Sequence, residues 1–166
     1  MGTWQNDDGL YLRFGTSEDT QAKGGAYNVD GPYQEIEMRI DYAELESAGT
    51  DTILSRDVRL PNGAFVKSVT FEVEEAFDSS GDSATLSFGT IYTDGSTEHD
   101  LDGFDATIAE TAIDAVGDDI VCDGAKVETE LSTTGGAPVL LTATVGTEDF
   151  TAGVGYLRIK WYMPLA

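Results

Sequence analysis

The sequence predicts an all-β protein, a jelly-roll-like β-sandwich with one short helix or irregular crossover near 104–116. Three observations predict it. Apolar residues alternate with polar ones at a period of two in several separate segments, the pattern of strands with one buried face. Clusters of Gly, Asp, Ser and Asn separate those segments and supply turn chemistry. Hydrophobic residues make up 40% of the 166 positions, enough for the core of one domain without disulfides or metal, and Gly and Thr are each present nineteen times.

Residues 1–9 are polar apart from Trp4 and read as an N-terminal arm, ahead of a single sandwich domain over 10–166. Leu10 to Phe14 alternates, with Leu10, Leu12 and Phe14 on one face, and reads as a short strand. Thr16 to Pro32 is polar, contains Gly24-Gly25 and Gly31-Pro32, and reads as a long loop of the kind that often makes interfaces. Glu35 to Tyr42 is a strand with Ile36, Met38, Ile40 and Tyr42 inward. Thr52 to Leu60 is a weaker strand that ends at the turn Leu60-Pro61-Asn62-Gly63. Phe65 to Phe77 is a long strand with Phe65, Val69, Phe71, Val73 and Phe77 inward. The run Asp78-Ser79-Ser80-Gly81-Asp82 is expected to turn it back into a hairpin with Ala84 to Tyr92, whose Leu86, Phe88 and Tyr92 point inward. Phe104, Ile108, Ala112, Ile113 and Val116 follow helical spacing, and Thr107 with Glu110 resembles a capping box. Ala125 to Leu131, Val139 to Val145 and Val154 to Met163 complete the set, the last with Leu157, Ile159, Trp161 and Met163 on one face. About eight or nine such strands make a sandwich.

The formal charge is −22, from 31 acids and 9 Lys plus Arg. That field repels phosphate, so neither a nucleic-acid partner nor an anionic membrane is expected. No apolar run approaches the length of a spanning helix, and the first residues show no basic and apolar signal segment. Between Lys67 and Lys126 there are fifteen acids and no basic residue. The plain reading is a solvated acidic face; the functional reading is an electrically polarised molecule that turns one end to a basic partner or a cation.

Candidate chemistry is sparse. His99 is the single histidine, and Ser96 and Asp100 beside it do not make a triad, which needs a base oriented by a buried carboxylate. Cys122, flanked by Ile120 and Val121, reads as a small buried thiol, and one Cys with one His excludes the usual zinc sets. No phosphate-cradling glycine motif is present. Asp100, Asp102 and Asp105 around Gly103 are the best calcium candidate, although the spacing is not that of an EF-hand and a plain acidic turn is the stronger reading. Trp4, Trp161, Tyr92 and Tyr162 could in principle stack on a sugar, but alternation puts Trp161 in the core, while Trp4 suits burial against a partner. No residue is therefore assigned a catalytic, cofactor-binding or metal-binding role, and neither an enzyme nor a cofactor is expected.

Residues 8–15 (Asp-Gly-Leu-Tyr-Leu-Arg-Phe-Gly), 36–42 (Ile-Glu-Met-Arg-Ile-Asp-Tyr), 60–69 (Leu-Pro-Asn-Gly-Ala-Phe-Val-Lys-Ser-Val) and 148–162 (Glu-Asp-Phe-Thr-Ala-Gly-Val-Gly-Tyr-Leu-Arg-Ile-Lys-Trp-Tyr) carry a resemblance. Together they resemble small structural proteins of tailed bacteriophages, especially capsid decoration (cement) proteins. The resemblance implies a sandwich made in the host cytoplasm that sits on the outside of a phage head, often as a homotrimer, and bridges subunits of the major capsid protein. Head-fibre and tail or receptor-binding proteins share such sandwiches, and a carbohydrate-binding module is the reading of another class. The resemblance brings no catalytic residue with it.

Overall fold

The computed structural model describes residues 2–5, 11–14 and 33–164. The long loop expected over 16–32, residues 6–9 of the expected arm and Leu10 of the expected first strand lie outside the described residues.

Near the N-terminus, β1 (Gly2–Gln5) pairs antiparallel with β2 (Tyr11–Phe14), with Trp4 opposite Leu12 and Gly2 opposite Phe14. This two-stranded sheet shares no ladder with the rest among the described residues. The body contains β3 (Gln34–Asp41), β4 (Asp51–Leu60), β5 (Phe65–Ser79), β6 (Thr85–Tyr92), β7 (Glu98–Ala109), β8 (Asp119–Val121), β9 (Thr129–Glu130), β10 (Val139–Gly146) and β11 (Phe150–Tyr162). One sheet runs β4-β10-β6-β7 and the other β3-β11-β5-β8, with β9 added to the start of β5; every pairing is antiparallel. The two sheets face each other across one apolar core, so the chain is an all-β sandwich, as the alternation predicts.

Aromatic rings fill the space between the sheets. Phe71 of β5 meets Phe88 of the opposite sheet at 5.1 Å between centroids and Phe77 of its own strand at 5.7 Å; Phe77 meets Phe150 edge-on at 5.2 Å. Two glycines of β11 make room for them. A Cβ at Gly155 would overlap the Phe71 ring, and one at Gly153, whose φ is +131°, would overlap Phe77. The glycines in Phe-Thr-Ala-Gly-Val-Gly are thus core residues rather than turn residues.

Several expectations are corrected. Strands β5 and β6 do not form a hairpin: they lie in different sheets, and Ser80–Ala84 crosses between them. Of the two alternatives expected near 104–116, a short helix or an irregular crossover, the chain takes the second, and the helical reading of Phe104 and Ile108 is the part corrected. Strand β7 continues to Ala109, a 3-10 turn follows at Glu110–Ala112, and the chain then crosses irregularly to β8. Phe104 and Ile108 are four apart, which suits a strand face as well as a helix, and both are buried. Ala125–Leu131 is mostly turn, with only Thr129 and Glu130 paired. Phe65 faces outward because Lys67 is an extra residue between the pairs Val66↔Trp161 and Ser68↔Lys160; Val66 takes the inward place. Tyr42 starts a 3-10 turn, and Met163 lies past the end of β11, so both are exposed.

Candidate functional site

The residues singled out for chemistry are not assembled into an active site. His99 lies on β7 with Nδ1 2.7 Å from Thr90 Oγ1 and Nε2 3.1 Å from the Ser132 carbonyl. A carbonyl only accepts, so Nε2 carries the proton and, in the neutral ring, Nδ1 accepts from Thr90. Tyr92 packs edge-on against the ring and its hydroxyl accepts from the Thr134 amide. His99 therefore ties the Ser132–Thr134 loop to the sheet. Ser96 turns instead to Asp94, and Asp100 pairs with Lys126 at 3.3 Å. Cys122 is buried, and burial beside Asp105 and Asp123 pushes its thiol up to about 12, the opposite of an activated nucleophile.

The calcium candidates are spread along a strand. Asp102 is exposed, Asp100 is ion-paired, and Asp105 is buried, where its carboxyl accepts from the Thr107 amide. Burial raises the pKa of Asp105. Among the described residues, the group of three carboxylates whose oxygens lie within 4.8 Å of one another is instead Asp78, Asp82 and Glu110. Glu110 is only 5% exposed, and its oxygens are already engaged by the Ser79 amide and hydroxyl and the Ala84 amide. Glu148 lies against the same Ser79 hydroxyl, whose single proton the two carboxylates share, and accepts from the Gly81 amide at 2.7 Å. Its pKa is lowered by these donors. The group fastens the crossover between the sheets. The sequence marked Asp78–Asp82 as a turn, and nothing in it showed that a glutamate 28 residues beyond Asp82 would return to hold it.

The aromatic candidates divide. Trp161 is buried, as alternation predicts. Tyr162 lies on the outer face of its sheet, with Tyr33 edge-on at 5.3 Å and an 85° interplanar angle, and Phe65 tilted by 33° at 5.1 Å. These rings are not coplanar, so they do not form a flat stacking platform.

Charge organises the outer surfaces. On the β3-β11-β5 face, Arg158 lies between Glu37 (2.7 Å) and Glu72, Lys160 faces Glu35 at 3.7 Å, and Arg39 binds Asp41 at 2.8 Å. The cations of the C-terminal strand are thus neutralised by the acids of flanking strands. Among the described side chains the exceptions are Arg56 and Arg59 on β4. No carboxylate among the described residues lies within ion-pairing distance of either. Both sit where β4 bulges: Leu140 pairs with Arg59 and the next residue, Leu141, with Ser55, so 56–58 loop out of the ladder.

No protein-family model matches the chain, and no curated protein matches it. Solved structures do. A chain of the cyanophage Pam1 capsid asymmetric unit aligns over 92% of this chain and all of its own length, with a TM-score of 0.54 and 13% identity. A chain of the acidic stable capsid of Helicobacter pylori bacteriophage KHP30 aligns over 81% of this chain and 90% of its own, with a TM-score of 0.56 and 18% identity. A chain of the capsid of Ralstonia phage GP4 aligns over 87% and 93%, with a TM-score of 0.59 and 13% identity. At these identities the likeness is one of fold: this sandwich is the fold of chains found in three phage capsids.

Proposed function

We propose that the chain is a non-enzymatic virion structural protein, a capsid decoration (cement) protein. It binds the outside of a phage head and bridges and stabilises subunits of the major capsid protein. The observation that carries this reading is the likeness of nearly the whole chain to nearly the whole of chains in three phage capsid structures. The absence of an assembled nucleophile, base or metal set among the described residues is in keeping with it, as is an acidic surface unsuited to nucleic acid or membrane. The strand order β3-β11-β5-β8 over β4-β10-β6-β7 supports a jelly-roll winding, with successive strands passing repeatedly between the sheets. Residues 1–9 are the arm and 10–166 the domain. After synthesis in the host cytoplasm the protein assembles on the capsid surface, as a homotrimer, without cofactor or metal.

The arm is the part proposed to grip the shell. Among the described residues β1 of the arm pairs only with β2 at the start of the domain, and a two-stranded sheet of four-residue strands is marginal alone in water and needs a surface to lie on. Many copies each gripping weakly would act together on a lattice. The alternative, a head-fibre or tail component that binds carbohydrate, is disfavoured by the edge-on aromatic cluster.

Quantitative mass spectrometry of purified virions tests the reading. About one copy per capsid subunit, or one per few, supports decoration; a handful per particle places the protein in a tail, neck or fibre; absence overturns the assignment. Deleting residues 1–9 is expected to weaken binding to undecorated shells, and unchanged binding would remove the arm from the contact.

A further inference from the structure

We infer that Arg56 and Arg59 form a docking edge for the acidic side of a second copy of this chain, a head-to-tail contact between opposite edges of the sandwich. The inference rests on the proposed self-association and gives it a surface.

The argument starts from the edges. Strands β3 and β4 end their sheets on one side, and they are neighbours through the short 42–50 connection. Strands β7 and β8 end the sheets on the other side. There the chain after β8 ties the sheets together, with the Gly124 amide donating to Phe104 O and the Lys126 amide to Gly103 O.

The two sides differ in chemistry. On the β7/β8 side lie Asp102, Asp114, Asp119 and Asp123, all exposed, within the stretch that has no basic residue between Lys67 and Lys126. Among these acids stand Val116 and Val121, 73% and 70% exposed, the two most exposed large apolar side chains among the described residues. These two apolar side chains and the acids on the same edge are open to contact.

On the β4 side stand the two guanidinium groups that have no carboxylate partner among the described residues. Arg59 turns back along the bulge, with Nε 3.4 Å from Arg56 O, and the Arg56 guanidinium lies beside the Thr93–Ser96 turn. The bulge interrupts the strand edge, so a second copy cannot simply extend the ladder through 56–58. What remains is recognition by side chains, and a guanidinium recognises a carboxylate through paired N–H donors. Among the described side chains, Arg39, Lys67, Lys126, Arg158 and Lys160 each have a carboxylate partner and Arg56 and Arg59 have none, so these two guanidinium groups are open to an external carboxylate. This chain carries that surface on its own opposite edge. Because the two patches differ, the contact is heterologous, and repeating it closes a ring or grows a filament.

Sedimentation velocity of the isolated chain across a concentration series tests this. The wild type is expected to associate with concentration. The Arg56→Glu/Arg59→Glu double variant is expected to lose about tenfold or more in association, with the circular dichroism of the fold unchanged because both side chains are exposed. The Asp119→Lys/Asp123→Lys double variant is expected to lose association similarly. Mixing the two variants restores it, since each then offers the charge the other lacks. A wild type that stays monomeric throughout, a charge reversal without effect, or a mixture that fails to reassociate would each overturn the contact. No shell is present in the experiment, so its failure leaves decoration standing.

Discussion

Glu110 holds Ser79 twice, accepting from its backbone amide at 2.9 Å and from its hydroxyl at 2.5 Å, and then accepts from the Ala84 amide at 3.2 Å. Ser79 ends β5 in one sheet and Ala84 precedes β6 in the other. One buried carboxylate therefore satisfies the backbone at both ends of the crossover. Removing it would leave two buried or nearly buried amides without an acceptor, each costing about 1–3 kcal/mol. Glu110→Ala is expected to lower stability by about 3 kcal/mol, and Glu110→Gln, which keeps one acceptor oxygen, by about half of that. Chemical denaturation with matched slopes measures both. Equal losses in the two variants would mean that volume, not hydrogen bonding, is what Glu110 contributes.

Gly153 and Gly155 lie on β11 under two core rings. Gly153 combines a positive φ with direct contact to Phe77, so a side chain there meets both backbone strain and overpacking. Gly153→Ala is expected to cost on the order of 3 kcal/mol. Phe77→Leu in the same background should recover part of that loss by vacating the space. A Gly153→Ala protein as stable as the wild type would show that β11 can slide away from Phe77 at little cost.

These two sites show what was legible in the sequence and what was not. Strict alternation in β3, β5, β6 and β11 predicted the sandwich and most of its core, because a period of two has one physical meaning when turns bound it. Pairing was less legible. The turn residues 78–82 fit a hairpin or a crossover equally, and the deciding contact, Glu110 to Ser79, spans 31 residues. Phe104 and Ile108 read as helical because spacing of four satisfies both periods. The outward turn of Phe65 depends on one inserted residue, Lys67, which leaves no local signature. Among candidate site residues, the absence of a triad around His99 could be read from its neighbours. The isolation of Arg56 and Arg59 could not, since it depends on which acids the fold brings to the other cations.

Acid stability is set by a few carboxylates with local donors. The Asp94 carboxylate accepts from the Thr97 hydroxyl and from the amides of Ser96 and Thr97, which hold its pKa down to about 2. Asp41, Glu128 and Glu148 are lowered as well, Asp41 by the Ala43 amide and Arg39, Glu128 by Lys67, and Glu148 by Ser79 and Gly81. A carboxylate lowered in the folded state contributes stability that is present above its unfolded value, near 4, and is lost as the pH falls through its folded value. For Asp94 that window runs from about 4 down to about 2. Asp105 acts in the other direction: burial raises it, so protonation favours the fold. Partial neutralisation of a −22 chain also relieves self-repulsion. The melting temperature is therefore expected to rise as the pH falls from neutral toward about 5, and to drop steeply below about 4. Asp94→Asn keeps an acceptor oxygen in the turn but removes its titration, so its acid limb should be shallower between about 4 and about 2. An acid limb that superimposes on that of the wild type would show that Asp94 is held as strongly in the unfolded chain as in the fold, and the loss of stability would then belong to Asp41, Glu128 and Glu148.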